Sequence, residues 1–200
     1  AIKILNNAAT KTKNASVKLE LAEIMLSNQS FDTYDNSSNN NINYPLVKQL
    51  YKDAADYGNL EGMTKYGQYC LKSKINQNGE IQPDYSEAYT YFKKAAYRGN
   101  TEAMIRYGKL LEKGVPNIPI DLQSAKSWYK KSYEGGNLGG FAEYGYALIS
   151  SKYGDTDEPE GYRLIKYSSD HNNPLGHYRS RNALCPTRRS KIVRTYQEGC

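Results

Sequence analysis

Small and apolar residues recur along this chain with the spacing of short helices that pack against one another. In residues 101–113 they fall at positions i, i+4, i+5 and i+8, which form one face of a helix with 3.6 residues per turn. These positions are Ala103, Tyr107, Gly108 and Leu111. Residues 84–98 have the same character around Ala88 and Phe92. The pattern predicts helical pairs, with small residues where two helices approach closely.

The pattern is repeated along the chain. Residues 93–111, KKAAYRGNTEAMIRYGKLL, hold the end of one predicted helix, a tight corner and the start of the next. Four such corners are spaced 41, 37 and 36 residues apart. Self-similarity at this period predicts a stacked repeat array. The corner residues are Gly58, Gly99, Gly136 and Asn172.

Each corner has the chemistry of one helix ending and another beginning. Glycine suits the left-handed residue that follows a helix, and asparagine suits the N-cap position that comes next. The predicted N-caps are Asn59, Asn100 and Asn137 for the first helix of a unit, and Asn43, Asp84, Asp121 and Asp157 for the second. A further glycine recurs on the packing face of each first helix, at Gly67, Gly108 and Gly145.

These signals predict helix bounds. The expected ranges are 14–28, 44–57, 59–73, 84–98, 100–113, 121–134, 137–151 and 157–170, with a last helix starting at Pro174. In the first helix, the expected packing anchors are Val17, Leu21, Ala22 and Met25.

The combined motif is A-x-x-x-Y/L-G-x-x-Y/L, a loop, D-x-x-x-A, an aromatic residue, and A-A-x-x-G. It resembles the Sel1-like repeat, a relative of the tetratricopeptide repeat. The resemblance covers residues 43–182 well and residues 14–28 weakly. It implies an all-α fold, a right-handed α-solenoid of helical hairpins. It also implies a non-catalytic scaffold or adaptor that binds a protein or peptide on its concave face.

The expected domain organisation has four parts. Residues 1–28 are a degenerate N-terminal repeat remnant, 29–43 an Asn-rich loop, 44–182 the repeat array and 183–200 a basic tail. The net charge is +6, and from Tyr178 onward there are six basic residues and one acidic residue. The basicity is therefore assigned to the C-terminal end rather than to the array. Because the chain begins in mid-repeat, we expect it to be a fragment of a longer protein.

Chemical sites are not indicated by the sequence. Cys70, Cys185 and Cys200 have neither disulfide-framework nor zinc spacing, which favours a reduced, cytoplasmic setting. His171 and His177 lie on either side of a corner without a fixed third ligand. We expect no catalytic residues, no metal, no cofactor and no small-molecule substrate. No apolar run approaches the ~20 residues of a membrane span.

Twenty tyrosines against three phenylalanines are interpreted as packing residues with a solvated hydroxyl. The partner-binding face is predicted from the first helix of each unit, at positions between the packing anchors. In the tetratricopeptide-like arrangement that the resemblance implies, these positions line the concave surface. They are Glu61, Thr64, Gln68, Glu102, Ile105, Lys109, Ala142, Tyr146, Leu175 and Tyr178, with Gly139 and Asn182 at the two remaining equivalents.

Other interpretations stay open. The chain is also compatible with a structural subunit of a large assembly, or with a repeat module of a longer signalling protein. Hydrolase activity is disfavoured because no nucleophile–base pair is apparent. The basic tail is compatible with a nucleic acid or other polyanion, but a solvated tail is the simpler interpretation.

Overall fold

A computed structural model describes residues 13–27, 44–72 and 83–183. The chain divides into two compact units, residues 1–100 and 101–200. Unit 1 contains α1 (Ala15–Ser27), α2 (Tyr44–Asp56), α3 (Leu60–Lys72) and α4 (Tyr85–Tyr97). Unit 2 contains α5 (Thr101–Lys113), α6 (Leu122–Glu134), α7 (Leu138–Ile149), a short 3-10 helix (Ser151–Tyr153), α8 (Glu158–Asp170) and α9 (Pro174–Ala183).

Within each unit, every helix packs against the next helix along the chain. In unit 2, α5 also packs against α7, and α7 against α9, so these three first helices form one layer. The second helices, α6 and α8, form the other layer. The described residues thus form helical hairpins of the α-solenoid class.

The corners adopt the predicted backbone conformation. Gly58, Gly99 and Gly136 have φ of +88°, +92° and +78°, and Asn172 has φ of +56°. Asparagine tolerates this left-handed region better than other residues that carry a side chain, which accounts for its place at the fourth corner. Two of the predicted caps are observed: the side-chain oxygens of Asn59 and Asn137 accept hydrogen bonds from backbone N–H groups in the first turn. Asn173, which was not among the predicted caps, caps α9 in the same way.

The second helices start at their predicted aspartates. The Oδ1 atoms of Asp84, Asp121 and Asp157 accept hydrogen bonds from the N–H groups of Glu87, Ser124 and Glu160. The fourth predicted cap, Asn43, lies outside the described residues. The backbone N–H of each aspartate also donates to a carbonyl in the last turn of the preceding helix: Asp84 to Cys70 (2.8 Å), Asp121 to Leu111 (2.9 Å) and Asp157 to Leu148 (2.9 Å). This bond closes each hairpin in the same way.

Glycines on the first helices face the second helices at very short range. A Cβ atom on Gly67 would lie 2.7 Å from the Phe92 ring, and one on Gly108 would lie 2.6 Å from the Tyr129 ring. A Cβ atom on Gly145 would lie 2.7 Å from a backbone oxygen of α8. Any side chain at these positions would separate the two helices.

Two expectations about side-chain environment need correction. Val17, expected as a packing anchor, is exposed, whereas Leu21, Ala22 and Met25 are buried. Lys18 and Leu19 are buried beside these three residues, so the packing face of α1 is displaced from the expected one. Hydroxyls of four packing tyrosines donate to carboxylates rather than ending in water: Tyr51 to Glu23, Tyr66 to Glu87, Tyr91 to Asp56 and Tyr129 to Glu112.

Candidate partner-binding groove

A groove of about 370 Å³ lies in unit 2, on the layer of first helices. It is shaped by one face of α5 and by the N-terminal ends of α7 and α9. Its volume is in the range of small-ligand pockets, and it is large enough for one or two side chains of a bound segment. The lining residues are Glu102, Ile105, Arg106, Lys109, Asn137, Gly139, Asn173, Pro174 and Leu175.

α5 supplies the longest wall. Glu102, Ile105, Arg106 and Lys109 are spaced i, i+3, i+4 and i+7, so they share one helix face. Arg106 Nε lies 2.7 Å from Glu102 Oε1, and both side chains of this pair are exposed. Ile105 is only 3% exposed and gives the groove an apolar floor.

The opposite side is built from two helix starts. Asn137 and Asn173 cap α7 and α9, and each side-chain oxygen is occupied by a backbone N–H two residues later. Gly139 comes close to Ile105, because a Cβ on this glycine would lie 2.9 Å from Ile105 Cδ1. Leu175 lies next to Gly139 and extends the apolar floor.

A buried carboxylate lies beside the groove. Glu143 on α7 is 0% exposed, and Arg179 on α9 donates to its Oε2 through both Nε, at 2.9 Å, and a terminal nitrogen. Lys109 Nζ lies 2.7 Å from Glu143 Oε1, as an ion pair rather than an aligned hydrogen bond. Burial alone would lower the pKa of Arg179, but the Glu143 carboxylate outweighs it and raises that pKa. Three consecutive first helices are thereby joined by one carboxylate.

The polar contacts continue toward the C-terminal end of α5. The Arg179 guanidinium lies 3.9 Å from the centre of the Tyr146 ring, and Lys152 Nζ lies 5.7 Å from the same ring. Lys152 also binds Glu112 at 2.7 Å. Glu112 is half-buried, which opposes its ionisation. Hydrogen bonds from Lys152 and Tyr129 outweigh that burial and hold the pKa of Glu112 below its usual range.

We call this set of contacts the charge chain. It runs from Lys109 through Glu143, Arg179, Tyr146 and Lys152 to Glu112. The Glu143 side chain is fully buried and that of Glu112 is 19% exposed, while the Lys109 and Lys152 side chains are 37% and 42% exposed.

The groove brings together five residues of the predicted concave face, Glu102, Ile105, Lys109, Gly139 and Leu175. Tyr146 lies next to them through its contact with Arg179. Tyr178 on α9 is 58% exposed, with its ring centre 5.6 Å from the Arg179 guanidinium.

Four residues of the predicted face are buried, Thr64, Ile105, Gly139 and Ala142. Thr64 is buried and its hydroxyl donates to the Leu60 carbonyl within α3. Ala142 is fully buried in α7, and Ile105 contacts solvent only through the groove floor. These positions therefore do not present their side chains to solvent, as one of the two interpretations of this face allowed. Glu61 is exposed and Gln68 partly exposed in unit 1.

The sequence interpretation missed the core of the charge chain. Glu143 was not selected, and Arg179 was counted with the basic C-terminal end although it neutralises a buried carboxylate. A signal was present: Lys65, Arg106, Glu143 and Arg179 occupy equivalent repeat positions, and all four are charged. Residues at equivalent positions of consecutive repeats are neighbours when the first helices stack, so opposite charges there, such as those of Glu143 and Arg179, can pair.

The cysteine and histidines take ordinary structural roles. Cys70 is a buried free thiol, and burial raises its pKa to about 11. His171 Nδ1 lies 2.8 Å from the Tyr167 carbonyl, and His177 Nδ1 lies 2.8 Å from Ser169 Oγ. Among the described residues, no group of three or more ligating side chains could hold a metal ion. None of the helices in the described ranges has the length and hydropathy to cross a bilayer. Cys185 and Cys200 lie outside these ranges.

Comparison with known proteins identifies the repeat. The Sel1 repeat family matches residues 60–100 and 101–137. The crystal structure of a Sel1 repeat protein from Oxalobacter formigenes is similar with a TM-score of 0.61 and 16% sequence identity, over 85% of this chain and 64% of that one. The structure of c5321, a protective antigen present in uropathogenic Escherichia coli strains and displaying an SLR fold, gives a TM-score of 0.65 and 19% identity, over 90% of this chain and 35% of that one.

The present chain thus spans less than two thirds of the length of either structure. None of the curated proteins matches its sequence significantly. The helix pattern and the structural matches define an α-solenoid repeat protein. More particularly, two consecutive stretches of the chain, residues 60–100 and 101–137, match the Sel1 repeat.

Proposed function

We propose that this protein is a non-catalytic scaffold that binds a protein or peptide segment in the unit 2 groove. Sel1 repeat proteins are generally protein-interaction scaffolds and are typically non-catalytic. The proposal adds a location, the face formed by α5, α7 and α9. The repeat array of this scaffold comprises residues 44–182, and residues 1–28, 29–43 and 183–200 lie outside it.

The groove itself is the observation that supports this proposal. It combines an apolar floor, Ile105 and Leu175, with polar walls from Glu102, Arg106 and Lys109. Binding sites for peptide segments need such a combination, because the apolar part supplies binding energy and the polar groups fix orientation. The acidic and basic groups near the groove pair with one another, which fixes the side chains of its walls.

Selection from a random peptide display library against the full chain tests the proposal. Peptides that are enriched should lose affinity when Leu175→Arg places a charge in the groove. Ile120→Arg is the matched control, since Ile120 is exposed in the connection after α5 and does not line the groove. The dissociation constants of both variants are measured by fluorescence anisotropy.

The expected result is a loss of about tenfold or more for Leu175→Arg, in the range of an interface hot spot, and little change for Ile120→Arg. Equal affinity of all three proteins for the enriched peptides would place their binding site elsewhere. Thermal melts of each variant exclude a trivial loss of folding.

A further inference from the structure

The charge chain is layered between interior and surface. Glu143 is completely buried and the Glu112 side chain is 19% exposed, while the Lys109 and Lys152 side chains are 37% and 42% exposed. The acidic partners therefore lie beneath and the ammonium groups lie toward solvent. An approaching molecule meets the positive side of both ion pairs first.

The charge chain carries more positive than negative groups. Three cations, Lys109, Lys152 and Arg179, face two carboxylates, Glu112 and Glu143. Arg106 and Glu102 in the groove wall pair with each other and leave this balance unchanged. The two carboxylates are both engaged by more than one donor or cation, so they hold the cations in place without fully neutralising the surface.

An apolar floor adjoins this positive surface. Lys109 belongs to both, because it lines the groove and pairs with Glu143. Ile105 is one helical turn before Lys109, a rise of about 6 Å at 1.5 Å per residue. An extended segment advances about 3.3 Å per residue, so two residues cover that distance.

We infer that the groove and the charge chain together bind an acidic segment of a partner protein, with an apolar side chain on Ile105 and Leu175, a carboxylate two or three residues away on Lys109, and a further carboxylate on Lys152. This inference rests on the proposed function and specifies the chemistry of the partner. Charge complementarity supplies the negative groups, and the apolar floor favours a protein segment over a polyphosphate chain.

The test extends the peptide selection with charge variants. Lys109→Gln, Lys152→Gln and the double variant remove the exposed positive charge while leaving Glu143 with Arg179 and Glu112 with Tyr129. Lys130→Gln is the matched control, since Lys130 makes an exposed ion pair with Glu134 within α6. Each protein is measured against the enriched peptides and against copies in which every Asp and Glu is replaced by Asn and Gln.

The expected enrichment is for Asp or Glu within three residues of Leu, Ile or Phe. Each single variant should weaken binding about two- to fivefold, and the double variant about four- to twentyfold. These differences from the wild type should disappear at high salt, which screens exposed charges. Lys130→Gln and the wild type should bind alike. The neutralised peptides should bind the wild type as weakly as the original peptides bind the double variant.

Two other outcomes separate this inference from the proposed function. Enrichment of neutral or basic peptides that Leu175→Arg still weakens would overturn the acidic partner and leave the groove as the binding site. No enrichment, or binding insensitive to Leu175→Arg, would overturn both. A single-stranded oligonucleotide is included as competitor, at a concentration that supplies the same number of negative charges as the peptide. If the oligonucleotide displaces the peptide under these conditions, the surface binds nucleic acid instead.

Discussion

The α3–α4 hairpin of unit 1 and the α5–α6 hairpin of unit 2 share one packing solution. In each, a glycine in the first helix admits a ring from the second helix, Gly67 with Phe92 and Gly108 with Tyr129. The close approaches differ by only 0.1 Å, 2.7 Å against 2.6 Å. The contact between the two helices is therefore independent of which aromatic residue fills it.

The polar contacts of the two hairpins differ. Tyr129 donates to Glu112 in the last turn of α5, but the equivalent of Glu112 in α3 is Leu71 and that of Tyr129 is Phe92. In α3–α4 the carboxylate comes from the second helix instead, where Glu87 accepts from Tyr66. Repeat positions thus set the packing, whereas polar contacts are particular to each hairpin, and specific recognition should be sought among the latter.

The largest effect should come from the shared contact. Gly67→Leu and Gly108→Leu each force a side chain into a ring, and we expect each to cost about 1–3 kcal/mol or more of unfolding free energy. Chemical denaturation followed by circular dichroism measures both. Ser127→Leu, at an exposed position of α6, is the control. A variant as stable as the wild type would show that its helix contact is looser than the structure indicates.

Removing one hydroxyl tests the difference between the hairpins. Tyr129→Phe makes the α5–α6 ring match that of α3–α4 but deprives the half-buried Glu112 of a hydrogen bond, at a cost of about 1–3 kcal/mol. Tyr178→Phe, at an exposed ring, should change stability by less than about 0.5 kcal/mol. Equal midpoints for the two variants would mean that the Tyr129 hydroxyl is dispensable.

A smaller effect is expected where the charge chain crosses Tyr146. Tyr146→Ala removes the ring that covers the Arg179 guanidinium at 3.9 Å and should cost about 1 kcal/mol beyond its packing loss. Tyr178→Ala removes a ring that is 5.6 Å from the same group and 58% exposed, so its effect on stability should be near zero. Thermal unfolding of both variants decides the order, and a reversed order would contradict the assigned role of Tyr146.

The smallest effect concerns pH. The pKa of Glu112 lies below its ordinary value of 4.5, so its ionised form stabilises the folded state above that pH. This stabilisation disappears as the pH falls through the folded-state pKa. The unfolding midpoint of Glu112→Gln should therefore lie below that of the wild type at neutral pH, and the two should converge in acid.

Asp53 in unit 1 provides the matching case for this pH prediction. Burial opposes its ionisation, but Lys18 and Gln49 outweigh that burial and lower its pKa from the ordinary 3.8. Asp53→Asn should likewise lie below the wild type at neutral pH and converge with it in acid, because the stabilisation by the Asp53 carboxylate is lost as the pH falls through its folded-state pKa. If the unfolding midpoint of either variant stays at a constant distance from that of the wild type across the acid range, the ionisation of that carboxylate does not stabilise the fold.

Local signals explain why the elements could be predicted. A helix expected over residues 84–98 is observed as Tyr85–Tyr97, because Asp84 caps it and Gly99 ends it. One expected over residues 137–151 is observed as Leu138–Ile149, and after an extended Ser150 the chain continues in a short 3-10 helix, Ser151–Tyr153. Caps and corners act within a few residues, so the sequence carries them directly.

The site was less predictable, because it depends on distant contacts. Arg179 and Glu143 are 36 residues apart, and their pairing requires the actual stacking of α9 on α7. The burial of Thr64 and Ala142 similarly depends on how closely neighbouring helices approach. Helical periodicity assigns a residue to a side of its helix, but it does not determine how much of that side a neighbour covers.

The backbone bond that closes each hairpin has a consequence for engineering. It joins residues separated by 14, 10 and 9 positions, in the Cys70–Asp84, Leu111–Asp121 and Leu148–Asp157 hairpins. The same closure thus tolerates connections of different length, and doubling a flexible connection costs only about 0.6 kcal/mol. A reporter domain or a foreign epitope inserted in the connection between Leu111 and Asp121 should therefore leave both helices of that hairpin in place, and this connection is suited to building multifunctional versions of the protein.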